Sequence, residues 1–151
     1  MNDVYNIDEA KELLSYHSGR NSNIDNPKWR QGFLGSLRPF RGTLQEDNFI
    51  EVMECMKVLQ KQFSTPQIDS TMVADVVAIV HYTRAWSSKD GMLGRNHLLS
   101  KQQEELLMIW CDLIEECLCY LLDGAVEEAF FEYEEYKNGD FFEYEAKSVR
   151  K

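Results

Sequence analysis

The amino-acid sequence predicts an all-α fold: an antiparallel bundle of four main helices, with shorter helices and a long ordered N-terminal loop. Three observations predict it. Apolar residues recur at three- and four-residue spacing through long runs, capping sequences stand before two of those runs, and no internal repeat or low-complexity linker divides the 151 residues, which suits one domain.

The first helix is expected over residues 8–18, with Ile7, Ala10, Leu13 and Leu14 on one side and Gly19 as its stop. Thr43-Leu-Gln-Glu46 reads as a capping box. The run after it places Phe49, Val52, Met53, Met56, Leu59 and Phe63 on one stripe, with Glu51, Glu54, Lys57 and Lys61 largely opposite and Pro66 closing it. A third helix is expected from residue 69 or 70 to 86, striped by Met72, Val73, Val76, Val77, Val80 and Arg84. Its valine density would suit a strand, but its length and the polar placement of Asp75 and Arg84 favour a helix. Ser100-Lys-Gln-Gln103 is a second capping box, and the helix after it extends to residue 123. Its apolar stripe, from Leu106 to Leu122, is wide, so the helix should be covered on more than one side; the same stripe would equally suit a homodimer. Gly124 is a natural residue to follow its end. A last helix over 126–137 should bury Val126, Ala129, Phe130 and Tyr133, and residues 138–151 read as either a short helix or a strand-like extension.

Residues 19–43 break the bundle pattern. They carry Gly32, Gly35 and Gly42, Pro27 and Pro39, and Trp29, Phe33 and Phe40 among Lys28, Arg30, Arg38 and Arg41. Loops this long are uncommon in compact domains and are often functional or ordered by their own packing. Residues 90–100 repeat the style of glycine, apolar residue, glycine and arginine. Glycine permits close backbone approach and arginine offers a planar donor fork. The loops 28–42 and 90–99 therefore suggest a site for a small anionic ligand or nucleotide, built from Arg38, Arg41, Arg84, Arg95 and His97. The alternative is that the aromatics plug the bundle end and the arginines pair with acidic helices. Neither loop has a phosphate-loop or dinucleotide fingerprint.

The net charge of −10 is unevenly distributed. Residues 1–19 hold one Lys against four acids, residues 20–101 hold eleven basic residues against eight acids, and residues 102–151 hold four against fourteen. The last third thus carries the imbalance, interleaved with aromatics. Direct nucleic-acid binding by that face is excluded, because phosphate neutralisation needs Lys and Arg. A basic protein partner fits it, steered by a single-sign field and anchored by aromatic side chains. The candidate partner-binding residues are Glu127, Glu128, Phe131, Glu132, Glu134, Glu135, Tyr136, Phe141, Phe142 and Tyr144.

Catalysis is the weaker expectation. His17 ends the first helix, where a cationic imidazole would cap the negative pole. His81, in a valine stretch, reads as a hydrogen-bonded core residue, and His97 is the best general-base candidate. No E-x-x-H motif accompanies the carboxylates Glu104, Glu105, Asp112, Glu115 and Glu116. Cys55, Cys111, Cys117 and Cys119 lack zinc-ligand spacing and read as free thiols in a reducing cytosol. No metal or cofactor is expected. The N-terminus does not read as a signal peptide, and the longest uncharged apolar stretch, residues 117–122, is too short to span a membrane. In size and charge alone, with no shared motif, the chain is similar to bacterial immunity proteins and phage-encoded inhibitors. The expected function is a cytoplasmic neutraliser of a basic partner, with the ligand-binding module as the alternative.

Overall fold

The computed structural model describes residues 5–139, and over them the chain is mostly helical. α1 (Ile7–His17) starts at Asn6, whose side chain accepts from the Glu9 N–H while the Glu9 carboxylate accepts from the Asn6 N–H. This reciprocal cap satisfies two donors that a helix start otherwise leaves open. A short α2 (Pro27–Gln31) lies inside the segment expected as loop, begun by Pro27 and the Asn26 side chain. α3 (Glu46–Val58) and α4 (Gln60–Phe63) follow, joined through Leu59 at φ −93° and ψ 9°. α5 (Ser70–Ser87) is capped by Asp69, which accepts from the Thr71 N–H. After α6 (Met92–Arg95), the long α7 (Lys101–Leu122) carries the expected Ser100–Gln103 box. It closes with Gly124 at φ +80°, the Gly124 and Ala125 N–H groups returning to the carbonyls of Leu121 and Tyr120. A 3₁₀ turn (Glu128–Phe130) leads into α8 (Phe131–Asn138).

α5 packs along α7, α1 against both α3 and α5, and α3 against α7. Aromatic rings join these layers. Phe49 of α3 stacks on Trp110 of α7 at 5.5 Å, with Phe33 edge-on to Trp110 at 6.1 Å. Tyr133 and Tyr136 of α8 stand edge-on to Phe49 at 5.9 and 5.1 Å. Fully burying a side chain such as Phe49 contributes about 1.5–3 kcal/mol, and offset or edge-on rings add roughly 0.5–1.5 kcal/mol per pair.

Several expectations change. Thr43 caps nothing: α3 begins three residues later at Glu46, with Gln45 in the cap position and no side-chain cap bond. The Glu46 carboxylate, which a box would turn back on Thr43, accepts instead from the Tyr136 hydroxyl. The Gly42 carbonyl is meanwhile held by the Gln103 side chain at 2.9 Å. Asp75 lies in the core rather than on a polar face, because α1 covers it and Ser18 Oγ and Arg20 Nε donate to it at 2.9 and 2.8 Å. His81 is exposed and Val77 is 50% exposed, since α5 buries one face on α7 and another on α1, leaving a strip between them. Helical order starts later than expected near residue 126, where the chain makes the 3₁₀ turn before α8.

The segment 32–40 is a plug. Phe33, Leu34 and Leu37 are buried in the core, and Leu37 and Phe40 form a bridge around the cis Arg38–Pro39 peptide. Glycine at position 35 lets this turn close on α2: a Cβ there would lie 2.3 Å from the Trp29 carbonyl oxygen.

Candidate functional site

Three places hold the chemistry that the sequence offers. The first is a polar network around His17. Burial removes the imidazole from solvent, and its Nδ1 accepts from the Phe33 N–H at 2.9 Å. The ring proton therefore sits on Nε2 and is donated to Glu51 at 2.8 Å. Glu51 also accepts from Lys28 Nζ at 2.9 and 3.1 Å and from the Tyr5 hydroxyl at 3.1 Å. Burial pushes the Glu51 carboxyl up, but hydrogen bonds from His17 and Lys28 and their charges outweigh it and bring it down to about 2. Burial lowers the His17 pKa against the pull of Glu51. His17 is thus a neutral buried tie between α1, α3 and the 26–34 segment, not the cationic helix cap expected of it. Cys55, one turn beyond Glu51, is buried and its thiol is pushed up by that burial and by Glu51, so it carries no thiolate.

The second place is the outer face of α7 and α8. An open concavity of about 840 Å³ is lined by Asp112, Glu115, Glu116, Cys119, Tyr120, Leu122 and Asp123. Arg84 of α5 neutralises two of these acids, donating to Asp112 at 2.7 Å and Glu115 at 2.9 Å. Glu116 instead meets Glu132 of α8, another carboxyl. Hydrogen bonding with Glu116, then burial, then the Glu116 charge push the Glu132 carboxyl up to about 7. Among the described residues neither makes an ion pair, and nor do Asp123, Glu127, Glu128 and Glu135. Between these acids Tyr120, Leu122 and Phe131 stand 38%, 47% and 59% exposed.

The expected partner surface is therefore redrawn. Glu127, Glu128, Phe131, Glu132 and Glu135 lie on or toward solvent. Glu134 faces α3, paired with Lys57 at 2.9 Å and Lys137 at 3.2 Å. Tyr136 is fully buried, accepting from the Trp110 indole at 2.9 Å and donating to Glu46, because an eight-residue helix resting on α3 must bury one side. Phe141, Phe142 and Tyr144 lie outside the described residues. Tyr120 and Leu122 were missed, since the wide stripe of α7 gave no sign of where its covered arc ends.

The third place is the Gly/Arg loops, and the structure does not bring their arginines together. Arg84 faces α7. Arg41, Arg95 and His97 are exposed, His97 in the left-handed region at φ +53°. The glycines of residues 90–99 serve packing: a Cβ at Gly94 would lie 1.9 Å from the Ser88 carbonyl oxygen at the end of α5. Arg84 borders a concavity of about 620 Å³ between α5 and α7 with its guanidinium already paired to Asp112 and Glu115, whereas Arg38 borders a separate cavity, of about 430 Å³, between α5 and the plug. The Arg38 guanidinium lies 5.7 Å over the Trp86 ring and, among the described residues, pairs with no carboxylate.

Among the described residues no group of three or more His, Cys, Asp or Glu side chains could hold a metal ion, and no helix is long and apolar enough to cross a membrane. Comparison with protein-family models, curated proteins and solved structures finds no match to this chain.

Proposed function

We propose that this chain is a cytoplasmic partner-binding protein of inhibitor or immunity type, which neutralises a basic protein through the acidic outer face of α7 and α8. The observation that carries the reading is a face on which Glu116, Asp123, Glu127, Glu128, Glu132 and Glu135 make no ion pair among the described residues, Glu116 and Glu132 lying against each other, and which also exposes Tyr120, Leu122 and Phe131. Adjacent like charges disfavour the free state, and a Lys or Arg from a partner converts that repulsion into two charge-assisted hydrogen bonds. The apolar side chains beside it supply the anchors that carry interface energy, and the surrounding unpaired acids steer a basic partner and reject an acidic one. Four free cysteines suit a reducing compartment. The frame that holds this face is an antiparallel bundle of four main helices, α1, α3, α5 and α7, a reading supported by their mutual packing.

The test is affinity purification from the source organism at low salt, with wild type beside an Asp123→Lys, Glu132→Lys double variant. Wild type should retain a basic protein that the variant loses, and that washes off in about 1 M salt, where the screening length falls to about 3 Å. Recovery of no protein, or equal retention by both chains, would remove this reading.

A further inference from the structure

We infer that the cavity between the plug and the C-terminal half of α5 is a binding site for a small flat aromatic molecule carrying one anionic group, phosphate or carboxylate. Three aromatic side chains wall it: Trp29 from α2, and Tyr82 and Trp86 from successive turns of α5. Tyr82 and Trp86 are adjacent, with ring centroids 5.8 Å apart and planes tilted by 37°. Tyr82 remains 46% exposed at the mouth of the cavity. Leu34 and Gly35 complete the wall from the plug side, and the cavity of about 430 Å³ falls within the usual 300–1,000 Å³ range for small-ligand sites.

Polarity decides the ligand class. No carboxylate lines the cavity; its one charged side chain is Arg38. In a chain with ten more acids than bases, this guanidinium forms no ion pair among the described residues and rests on the Trp86 face instead. That placement leaves its planar donor fork open to a phosphate or carboxylate while the ring beneath holds it in position. Neighbouring polar groups are already committed: Ser18 Oγ and Arg20 Nε both donate to the buried Asp75. The Trp29 indole N–H, by contrast, is buried without an acceptor, a donor that the fold itself leaves over. An aromatic ring against Tyr82 and Trp86 with its anion on Arg38 uses both the aromatic wall and the open guanidinium. A cationic ligand would meet the like charge of Arg38, with no carboxylate in the lining to offset it.

The site is independent of the acidic face. Arg84, two residues before Trp86 and two after Tyr82, turns to α7, so opposite sides of α5 serve the two places.

The experiment is isothermal titration calorimetry of the full chain with two matched probe pairs: adenosine monophosphate against adenosine, and 4-hydroxybenzoate against 4-hydroxybenzamide. At least one anion should bind saturably, at least tenfold tighter than its uncharged counterpart. The anion that binds identifies phosphate or carboxylate as the recognised group. Arg38→Ala, at an exposed position, should weaken that binding at least tenfold, whereas Arg41→Ala and Arg95→Ala leave it unchanged. Trp86→Phe should weaken it less than Arg38→Ala does. The inference is overturned if neither anion binds up to millimolar concentration, if charged and uncharged probes bind alike, or if Arg38→Ala binds as wild type while retaining its helical circular dichroism.

Discussion

Replacing His17 probes the tie between α1 and the plug, and its magnitude follows from the contacts. His17→Ala deletes two hydrogen bonds, to Glu51 at 2.8 Å and from the Phe33 N–H at 2.9 Å. Glu51 keeps Lys28 and Tyr5, so the larger loss is the buried Phe33 N–H left without an acceptor, about 1–3 kcal/mol. The vacated imidazole volume adds a cavity loss of about 2 kcal/mol. A total of roughly 3–5 kcal/mol, at about 2–4 °C per kcal/mol for a chain of this size, lowers Tm by roughly 6–20 °C. The same site sets a pH dependence. Because the folded-state pKa of His17 lies below its ordinary value of 6.5, the unfolded chain binds a proton that the folded chain refuses. The stability it contributes is complete above pH 6.5 and is lost as pH falls below it, with a limiting slope of about 1.4 kcal/mol per pH unit. The raised carboxyls of Glu132 and Asp75 act in the opposite sense near this window, but they are common to both chains in a comparison with His17→Gln. Urea denaturation followed by circular dichroism at pH 5.5, 6.0, 6.5 and 7.5 gives the difference. Parallel stability profiles for wild type and His17→Gln, or a loss below about 1 kcal/mol in His17→Ala, would refute the tie.

Four further outcomes follow from neighbouring contacts. Glu132→Gln removes the repulsion with Glu116 that wild type relieves only by holding a proton, so Tm should rise at pH 8 and stay unchanged at pH 5; an unchanged Tm at both contradicts the pairing. Tyr136→Phe leaves the buried Trp110 indole N–H without its acceptor and should destabilise the chain by about 1–3 kcal/mol in urea, where a neutral effect would show that the bond contributes nothing. Gly94→Ala drives a Cβ to within 1.9 Å of the Ser88 carbonyl oxygen and should cost about 1–3 kcal/mol or more, measured as a fall in Tm. Maleimide labelling followed by mass spectrometry should modify Cys119 rapidly. Cys111 and Cys117, buried and with thiols pushed up to about 12, should react only after denaturant is added; fast labelling of either contradicts their burial.

The amino-acid sequence by itself determined the features decided within one helical turn. The Ser100–Gln103 box, the cap at Asp69 and the reversal at Gly124 stand where the residue types place them, because each is closed by hydrogen bonds spanning two to five positions. Apolar spacing likewise marked the helices, even through the valines of α5. The tertiary structure decided which residues those helices meet. Thr43–Glu46 has a capping pattern, yet Glu46 is claimed by Tyr136, ninety positions away. His17 has the position of a helix cap, yet Phe33 and Glu51 claim it. Arg38 and Arg84 both look available for an anion, yet one lies on Trp86 and the other is held by two acids of α7. Local hydrogen bonding is written in neighbouring residues. The partner of a side chain that leaves its own helix depends on which segments the burial of the core presses together, and residue spacing carries no record of that.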